Sequence, residues 1–290
     1  MNSWKIINDD ALAGLSQVDD NSIQLTVTSP PYYHLRSYSG GDNEIGWEES
    51  VGEYVDRLCN VFKILLKKTA SEGVLFLNLG DSYVEGQLAG VPWRVAIALQ
   101  DVGWILRSDI IWHKPNAMPS SVKNRPTPDH EYIFMFAKSK HYKYNQDSIR
   151  EPHVTFSENS KMRGGRGHFG KRGGTPEKGK NQGNSNLHDA RWDQAFHPMG
   201  RNKRTVWNIP LGKFRGAHFA VFPESLVEIC IKAGSDIDDI VCDPFAGSGT
   251  TGVVALKLGR RFIGVELFSE YCILAEDRLR SYKGHTETLF

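Results

Sequence analysis

The stretch from Val241 to Glu266 constrains the fold of this 290-residue chain most strongly, because it contains a complete strand, turn, helix and strand. Apolar residues 240–242 predict a short strand that ends at Asp243-Pro244, and an Ala/Leu/Val-rich helix follows a glycine-containing turn. Arg261 to Val265 predicts a second strand, which ends at Glu266. This unit is typical of an α/β fold that binds a nucleotide.

The glycines of the turn fit the pattern G-x-G-x-x-G as Gly247, Gly249 and Gly252, and Glu266 follows Gly249 by 17 positions. That spacing is close to the one at which a carboxylate binds ribose hydroxyls, and glycines let the backbone approach a ligand closely. A tight turn packed under a sheet is the structural alternative. A P-loop fits less well, because no Gly-Lys-Ser/Thr follows the glycines.

A second unusual stretch, Thr28 to Tyr33, comes directly after the apolar strand predicted for Ile23 to Val27. Its two prolines remove two backbone donors and fix two backbone angles, so the side chain of Ser29 is held rigidly at the carboxyl end of a strand. Open α/β sheets bind their ligands at this end of the strands. The structural alternative is a Pro-Pro turn with an aromatic residue packed on it.

Together, Ser-Pro-Pro-Tyr at residues 29–32 and Asp-Pro-Phe-x-Gly-Ser-Gly-Thr at residues 243–250 resemble the amino-methyltransferases of DNA. These enzymes methylate exocyclic base amines with S-adenosylmethionine. The tetrapeptide precedes the glycines, which resembles the circularly permuted group called the beta class. The resemblance implies an α/β fold with a Rossmann-like, seven-stranded methyltransferase sheet. It divides the chain into a catalytic half with the target-base site (1–144), a target-recognition insertion (145–205) and a cofactor-binding half (206–290).

The resemblance assigns the catalytic site to the Ser-Pro-Pro-Tyr segment, namely to Ser29, Pro30, Pro31 and Tyr32. The Ser29 hydroxyl and the Pro30 carbonyl would accept hydrogen bonds from the target amine. Tyr32 would offer an aromatic face to a base flipped out of the duplex. Lys114 and Asn116 belong to a segment that resembles one the family places beside the target base, although an aromatic residue and a lysine after a strand need no function.

The same match predicts which residues bind S-adenosylmethionine: Asp10, Phe222, Pro223, Asp243, Pro244, Phe245, Gly247, Ser248, Gly249, Thr250 and Glu266. Backbone amides near Gly247 to Thr250 would face the methionine part, Glu266 the ribose and Asp10 the adenine. A carboxylate in the position of Asp10 is more commonly a helix cap. Asp81, at another strand end, either touches the target or caps the following helix. No metal site is expected.

The near-neutral composition conceals one basic segment. Residues 157–204 contain eleven Lys or Arg against four Asp or Glu, an excess of seven positive charges in a chain whose net charge is +1. The segment is also rich in glycine, which is typical of a solvated loop. Within a methyltransferase, however, the charge favours contact with DNA phosphates, and the family keeps its target-recognition region here. Double-stranded DNA is therefore the expected partner.

The remaining composition excludes several classes. No signal peptide and no apolar run of about 18 residues is present, so neither secretion nor membrane spanning is predicted. The four cysteines form no C-x-x-C pair and are expected to be reduced thiols of a cytoplasmic protein. Relatives in the resembled group often dimerise and often accompany a restriction endonuclease. The sequence leaves both partners open.

The target base is less constrained than the reaction. In the resembled group, Ser before Pro-Pro-Tyr accompanies cytosine N4 more often, whereas Asp accompanies adenine N6. Ser29 therefore favours an N4-cytosine enzyme, with an N6-adenine enzyme on the same scaffold as the alternative. Two other classes remain: a catalytically silent nucleic-acid-binding module, and a nicotinamide-dependent oxidoreductase, which has no use for the Ser-Pro-Pro-Tyr segment.

Overall fold

The structure is a computed structural model that describes residues 3–35, 44–152, 199–212 and 222–282. The chain groups into two compact units, residues 1–145 with 205–290, and residues 146–204. Most of the predicted insertion, residues 153–198, lies outside the described residues. In the second unit, the described residues include a 3₁₀ helix, Gln146–Ile149, and a bridge that pairs Glu151 with Arg201.

The first unit is an α/β layer structure. Its described strands are β1 (Trp4–Asn8), β2 (Ile23–Thr28), β3 (Thr69–Leu79), β4 (Tyr83–Val84), β5 (Gln87–Leu88), β6 (Ile105–His113), β7 (His130–Ala137), β8 (Val206–Asn208), β9 (Ile240–Asp243) and β10 (Arg261–Glu266). Its described helices are α1 (Ala11–Ser16), α2 (Val51–Lys68), α3 (Val91–Val102), α4 (Glu224–Gly234), α5 (Thr250–Lys257) and α6 (Ser269–Ser281).

The central sheet has the strand order β1-β10-β9-β2-β3-β7-β6-β8, and β4 and β5 form a separate hairpin. The first five strands run parallel to one another, whereas β7 is antiparallel to both of its neighbours. The seven strands expected from the sequence are all present. In the described part of the chain an eighth is added, because the three residues of β8 pair in parallel with the end of β6.

The first strand of the chain lies beside one of the last. In β1 and β10, Trp4 pairs with Phe262 and Asn8 with Glu266. The Asn8 amide strengthens this junction by donating to the Glu266 carbonyl at 3.0 Å and to the Leu267 carbonyl at 2.9 Å. The pairing is the one expected for the circularly permuted order.

Helices α2 and α3 cover one face of the sheet, and each begins at a residue pattern that favours a helix start. Helix α2 begins after Ser50, whose Oγ accepts a hydrogen bond from the Glu53 amide, and its apolar stripe is buried, including Tyr54 and Phe62. Helix α3 begins with Val91-Pro92. Burying each large apolar side chain of such a stripe contributes about 1.5–3 kcal/mol.

Asp81 caps helix α3. Its Oδ1 accepts hydrogen bonds from the amides of Ser82 and Val91 at 2.9 and 3.0 Å, and its Oδ2 accepts one from the Gly90 amide at 3.1 Å. Of the two roles open from the sequence, the structure therefore shows the cap. The four cysteines form no disulfide. None of the helices within the described ranges has the length and apolarity needed to cross a membrane.

Candidate active site

The carboxyl ends of the parallel strands meet at one edge of the sheet. The strand register pairs Asn8 with Glu266, Gly264 with Asp243, and Thr28 with Leu77. Because β7 is antiparallel, it brings its first residues to the same edge, where Tyr132 pairs with Leu79. Segments that are far apart in the sequence therefore converge where open α/β sheets bind ligands.

The glycine turn leaves open space above its first glycine. Gly247 has φ +50°, and a Cβ built there would meet no atom within 4 Å. A Cβ at Gly249 would instead lie 2.9 Å from Ala275, and one at Gly252 would lie 2.5 Å from Phe262. The later glycines thus allow α5 to pack closely on α6 and β10, while Gly247 faces the open space that a ligand would occupy.

Glu266 holds the turn from the end of β10. Its Oε2 accepts a hydrogen bond from the Gly247 amide at 2.8 Å, and its Oε1 accepts one from the Phe268 amide at 3.0 Å. The residue is only 8% exposed. Burial raises the pKa of its carboxyl, and the hydrogen bonds from the Phe268 and Gly247 amides oppose that shift. Glu266 therefore sits beside the open space above Gly247.

Asp243 lies beneath the same turn and is 2% exposed. Its Oδ1 accepts hydrogen bonds from Thr28 Oγ1 at 2.7 Å and the Phe245 amide at 3.1 Å, and its Oδ2 accepts one from Thr251 Oγ1 at 2.7 Å. Burial raises the pKa of Asp243 to about 6, although all three bonds favour the charged form. The carboxylate thus joins the glycine turn to the residue that precedes Ser29.

An arginine not identified from the sequence clamps the turn from helix α6. Arg278 Nη1 donates to the Ser248 carbonyl at 2.6 Å, to Ser248 Oγ at 2.8 Å and to Thr250 Oγ1 at 3.2 Å. Helix α5 begins at Thr250 without a side-chain cap bond. Arg278 lies 28 positions after Thr250, so its role depends on how α6 packs and not on a local pattern.

The other predicted cofactor residues lie in the glycine turn or directly before two helices, α1 and α4. Asp10 caps α1, since its Oδ1 accepts hydrogen bonds from the amides of Leu12 and Ala13, both at 2.9 Å. Pro223 is buried and precedes the first residue of α4, while Phe222 is half-buried. In the turn itself, Pro244, Ser248, Gly249 and Thr250 are buried and Phe245 is half-buried.

The Ser-Pro-Pro-Tyr segment is held by a polar network. Ser29 Oγ lies 3.1 Å from the Tyr32 hydroxyl, and that hydroxyl donates to Glu131 Oε2 at 2.7 Å. The Tyr54 hydroxyl donates to the Pro31 carbonyl at 2.9 Å. A Cβ at Gly80 would lie 2.6 Å from the Tyr32 ring, so the ring packs against the backbone there. The segment is therefore fixed at both its backbone and its side chains.

Asn78, at the end of β3, completes this network. Its Nδ2 donates to the Tyr32 hydroxyl at 2.7 Å and to Glu131 Oε2 at 2.8 Å, and it lies 3.4 Å from Ser29 Oγ. Its own carbonyl oxygen is buried and accepts no hydrogen bond from the described part of the chain. Burial, and then the negative charge of Glu131, hold the pKa of Tyr32 well above its usual value. The Tyr32 hydroxyl is therefore a proton donor and not a phenolate.

The second oxygen of Glu131 binds Lys114. Lys114 Nζ forms an ion pair with Glu131 Oε1 and lies 4.7 Å above the Trp112 ring. Lys114 is thus in the network, whereas Asn116 exchanges hydrogen bonds with the backbone of Leu211. Sequence reasoning missed Asn78 and Glu131. The indication available was that both are polar residues near strand ends, but only the antiparallel β7 brings them together.

Fold and site together define a class of protein. The sheet is an open α/β sheet with a glycine turn, and Glu266 follows that turn at the sequence spacing typical of a carboxylate that binds ribose. The Ser29 hydroxyl is held one strand away. This is the arrangement of an enzyme that binds a nucleotide-containing cofactor next to its substrate. No group of three or more His, Cys, Asp or Glu side chains suited to a metal ion occurs among residues placed by the structure.

Comparisons with known proteins identify the family. The family model described as DNA methylase, N6_N4_Mtase, matches residues 23–277, and the chain belongs to that family. The chain is 37% identical to the type II methyltransferase M.SmaI of Serratia marcescens over 308 residues, covering 96% of this chain and 91% of that protein. It is also 37% identical to M.Cfr9I of Citrobacter freundii, covering 97% of this chain and 89% of that protein.

Solved structures agree on the fold. A cytosine-N4-specific PvuII DNA methyltransferase superposes with a TM-score of 0.68 at 23% identity, covering 96% of this chain and 86% of that chain. The Thermus thermophilus protein TTHA0409, a putative DNA modification methylase complexed with S-adenosyl-L-methionine, has a TM-score of 0.62 at 25% identity, covering 97% of this chain and 95% of that chain. The predicted methyltransferase fold and the cofactor S-adenosylmethionine are confirmed, and the chain is a DNA amino-methyltransferase.

Proposed function

We propose that this enzyme transfers a methyl group from S-adenosylmethionine to the exocyclic N4 amine of a flipped cytosine at specific sites in double-stranded DNA. The observation that carries the proposal is the hydrogen bonding of Ser29. Its hydroxyl hydrogen is directed to Tyr32, so its oxygen remains an acceptor for an amine donor. An exocyclic amine is a poor nucleophile because its lone pair is conjugated into the ring, and a fixed acceptor can turn that lone pair out of conjugation.

The chain's own residues position the reaction. Ser29 Oγ and the Pro30 carbonyl accept hydrogen bonds from the amine, and the carbonyl of Pro31 is already occupied by Tyr54. Bound S-adenosylmethionine supplies an electrophilic methyl group. No covalent enzyme intermediate is required, and most of the acceleration comes from positioning and from dipoles directed at the charge that develops on the amine. The base must leave the duplex to reach Ser29.

The residues at the strand ends fit the cofactor. The open space at Gly247 and the uncapped start of α5 suit a ligand that carries a carboxylate, since amides at a helix start favour negative charge. We assign the ribose to Glu266, the adenine to Asp10 and the pocket wall to Phe222, Pro223 and Phe245. Asp243 and Pro244 support the turn from beneath, because the Asp243 carboxylate is fully engaged by protein groups.

The choice of cytosine rests on the serine that begins Ser-Pro-Pro-Tyr. A serine can in principle also donate to cytosine N3, but here its hydrogen is directed to Tyr32, so that donor must come from another group. The neighbour whose name specifies cytosine N4 shares the fold at 23% identity. An N6-adenine enzyme is the second candidate, since the matching family model is named for both amines.

The deciding experiment is nucleoside mass spectrometry of unmethylated double-stranded DNA after incubation with the protein and S-adenosylmethionine. We expect N4-methylcytosine. N6-methyladenine would keep the fold and chemistry but contradict the base. If no methylated base forms, calorimetry with S-adenosylmethionine and a gel-shift assay would test for a silent binding module. Single-stranded DNA of the same sequence is the control for the requirement for a duplex.

We further propose that the basic insertion, residues 145–205, supplies much of the affinity for DNA. Phosphate contacts release counterions, so binding must weaken as salt rises. Replacing Lys171 and Arg172 with Gln should reduce the slope of log K against log salt by about 2 if both contact phosphates. The matched double variant on exposed α2 positions, Lys63→Gln with Lys67→Gln, should leave the slope unchanged. A slope that does not respond to either variant would contradict this assignment.

Homodimerisation, a companion restriction endonuclease and a cytoplasmic location remain predictions. Several curated relatives are named type II methyltransferases, whereas M.BamHII of Bacillus amyloliquefaciens is named an orphan methyltransferase. Light scattering of the purified protein at several concentrations would measure whether it dimerises.

A further inference from the structure

The charge of Glu131 fixes the direction of a chain of hydrogen bonds that ends at Ser29. A carboxylate can only accept, so the single hydroxyl hydrogen of Tyr32 must point to Glu131 Oε2, 2.7 Å away. The Tyr32 oxygen is then available only as an acceptor, and it accepts from Asn78 Nδ2 at 2.7 Å and from Ser29 Oγ at 3.1 Å. The Ser29 hydrogen is therefore committed away from the target base.

We propose that Tyr32 and Glu131 form a relay behind Ser29, in which Tyr32 holds the Ser29 oxygen as an acceptor for the target amine and Glu131 receives the proton that the methylated amine must release. The proposal deepens the function proposed above and depends on it. Tyr32 is thereby given a task besides stacking on the base, and Glu131 acts through Tyr32 as a positioning residue that also stores a proton.

The proton balance follows the hydrogen bonds. The amine nitrogen forms a bond to the methyl carbon while the carbon–sulfur bond breaks, and the electron pair of the broken bond stays on sulfur. The nitrogen is left with one proton too many. That proton moves to Ser29 Oγ as the Ser29 proton moves to the Tyr32 oxygen and the Tyr32 proton moves to Glu131 Oε2. Neutral Glu131, whose side chain is 15% exposed, then releases the proton to water.

The surroundings of Glu131 divide its two oxygens between two tasks. Lys114, which follows β6, pairs with Oε1, whereas Tyr32, in the segment after β2, and Asn78, near the end of β3, bind Oε2. Next to Glu131 in the sequence lies His130, and Asp129, which precedes β7, contacts both His113 and His130. Lys114 pairs with Oε1, which leaves Oε2 to the Tyr32 hydroxyl and the Asn78 amide.

Two substitutions separate the two tasks. Tyr32→Phe removes the hydroxyl and breaks the relay at its centre, whereas Glu131→Gln leaves an acceptor for the Tyr32 hydrogen but cannot store a proton. We expect each to lower kcat by about 100-fold while the Kd for cofactor and for DNA changes less than about threefold. Added formate should restore part of the rate of Glu131→Gln, because an external carboxylate can take the proton. Tyr132→Phe, the adjacent phenol on β7, is the matched control and should behave as wild type.

A binding measurement tests the acceptor role without turnover. The probes are two duplexes that carry the site found by sequencing DNA modified by the enzyme, one with the target cytosine and one with 2-pyrimidinone, which lacks the amine. Wild type and Glu131→Gln should prefer the amine-bearing duplex, and Tyr32→Phe should lose most of that preference. Thermal unfolding of all variants would show whether they fold.

The outcomes are distinguishable. If wild type methylates neither cytosine nor adenine, the proposed function fails before the relay is reached. If wild type methylates DNA but Tyr32→Phe and Glu131→Gln keep wild-type rates, the relay is wrong. The relay is also wrong if both variants lose cofactor and DNA affinity and thermal stability together with the rate, since that pattern marks a purely structural role.

Discussion

The two sides of the strand-end edge are built in different ways. The proposed cofactor side comes mainly from one run of chain, residues 240–266, in which strand β9, the glycine turn and strand β10 carry Asp243, Gly247 and Glu266 respectively. The proposed target side brings together Ser29 after β2, Asn78 on β3 and Glu131 on antiparallel β7. The first is local in sequence, and the second exists only after the sheet has formed.

The carboxylates of buried Asp243 and half-buried Glu131 also differ in their partners. Asp243 accepts hydrogen bonds from two threonine hydroxyls and one amide, all neutral. Glu131 has a neutral environment at one oxygen and the ammonium of Lys114 at the other. A buried charge without a cation is costly even when it is hydrogen-bonded, which explains why the pKa of Asp243 rises to about 6. On the proposed cofactor side the carboxylate is therefore held only by neutral groups of the turn and of β2, whereas on the proposed target side it is paired with a cation.

The largest expected effect distinguishes the two sides by function. Ser29→Ala removes the acceptor for the amine and should lower turnover by about 100- to 1000-fold, while the Kd for S-adenosylmethionine stays within about threefold. Radiolabelled methyl transfer and calorimetry measure the two quantities. The matched control is Ser22→Ala, which removes a surface hydroxyl that bonds to the Asp19 carbonyl before β2. If Ser29→Ala instead weakened cofactor binding more than it lowered turnover, the assignment of Ser29 to the target side would be wrong.

The converse substitution is Glu266→Ala. It removes the predicted ribose ligand and the acceptor of the Gly247 amide, so we expect the Kd for S-adenosylmethionine to rise about 30- to 100-fold. Turnover at saturating cofactor should fall much less. Glu270→Ala, in the first turn of α6, removes an acidic residue nearby and serves as the control. Equal loss of affinity in both variants would point to general electrostatics and not to a specific ligand.

The same contrast explains what the sequence could predict. The spacing of apolar residues and the positions of glycine and proline predicted the seven main strands, the helices and the glycine turn. These elements could be predicted because each is determined by residues that are neighbours in the sequence. The role of Asp81 as a cap stayed open between two alternatives, since a polar residue at a strand end suits both. The family resemblance supplied the pairing of β1 with β10, which no local pattern encodes.

The residues that sequence reasoning missed are those whose partners are distant. Glu131 reaches Asn78 only because β7 runs antiparallel to β3, and Arg278 reaches Ser248 only because α6 packs on the glycine turn. Neither residue lies in a recognisable pattern. The eighth strand was missed for a related reason, because the three residues of β8 are too few to show a period and are ordered by pairing with β6.

A third prediction concerns Asp243 and pH. Its pKa, about 6, lies above the ordinary value of 3.8, so the folded state binds a proton more readily than the unfolded state. The corresponding stability is present at low pH and is lost as pH rises through about 6. Between about pH 7.5 and pH 5, the free energy of unfolding of wild type should rise relative to that of Asp243→Asn by about 1–2 kcal/mol.

Urea denaturation of both proteins at the two pH values measures this difference. Titrating groups distant from Asp243 are present in both proteins and cancel in the comparison, whereas the pKa of Glu266, which the charge of Asp243 raises, differs between them. A difference that stays constant with pH would mean that Asp243 is not the buried acid that the hydrogen bonds to Thr28 and Thr251 indicate.

The smallest effect tests whether the open space at Gly247 is a ligand site. Gly247 and Gly259 both have positive φ, +50° and +75°, and a Cβ would meet nothing within 4 Å at the first and only an ordinary contact with Ile237 at 3.6 Å at the second. Replacing either with Ala should therefore lower the free energy of unfolding by the same small amount, about 1 kcal/mol, from backbone strain. Only Gly247→Ala should also weaken binding of S-adenosylmethionine, because its methyl group enters the space beside Glu266. Denaturation measures the backbone strain, which both variants share. Calorimetry measures the affinity for S-adenosylmethionine, which only Gly247→Ala should lower. Equal affinity in the two variants would place the cofactor away from this turn.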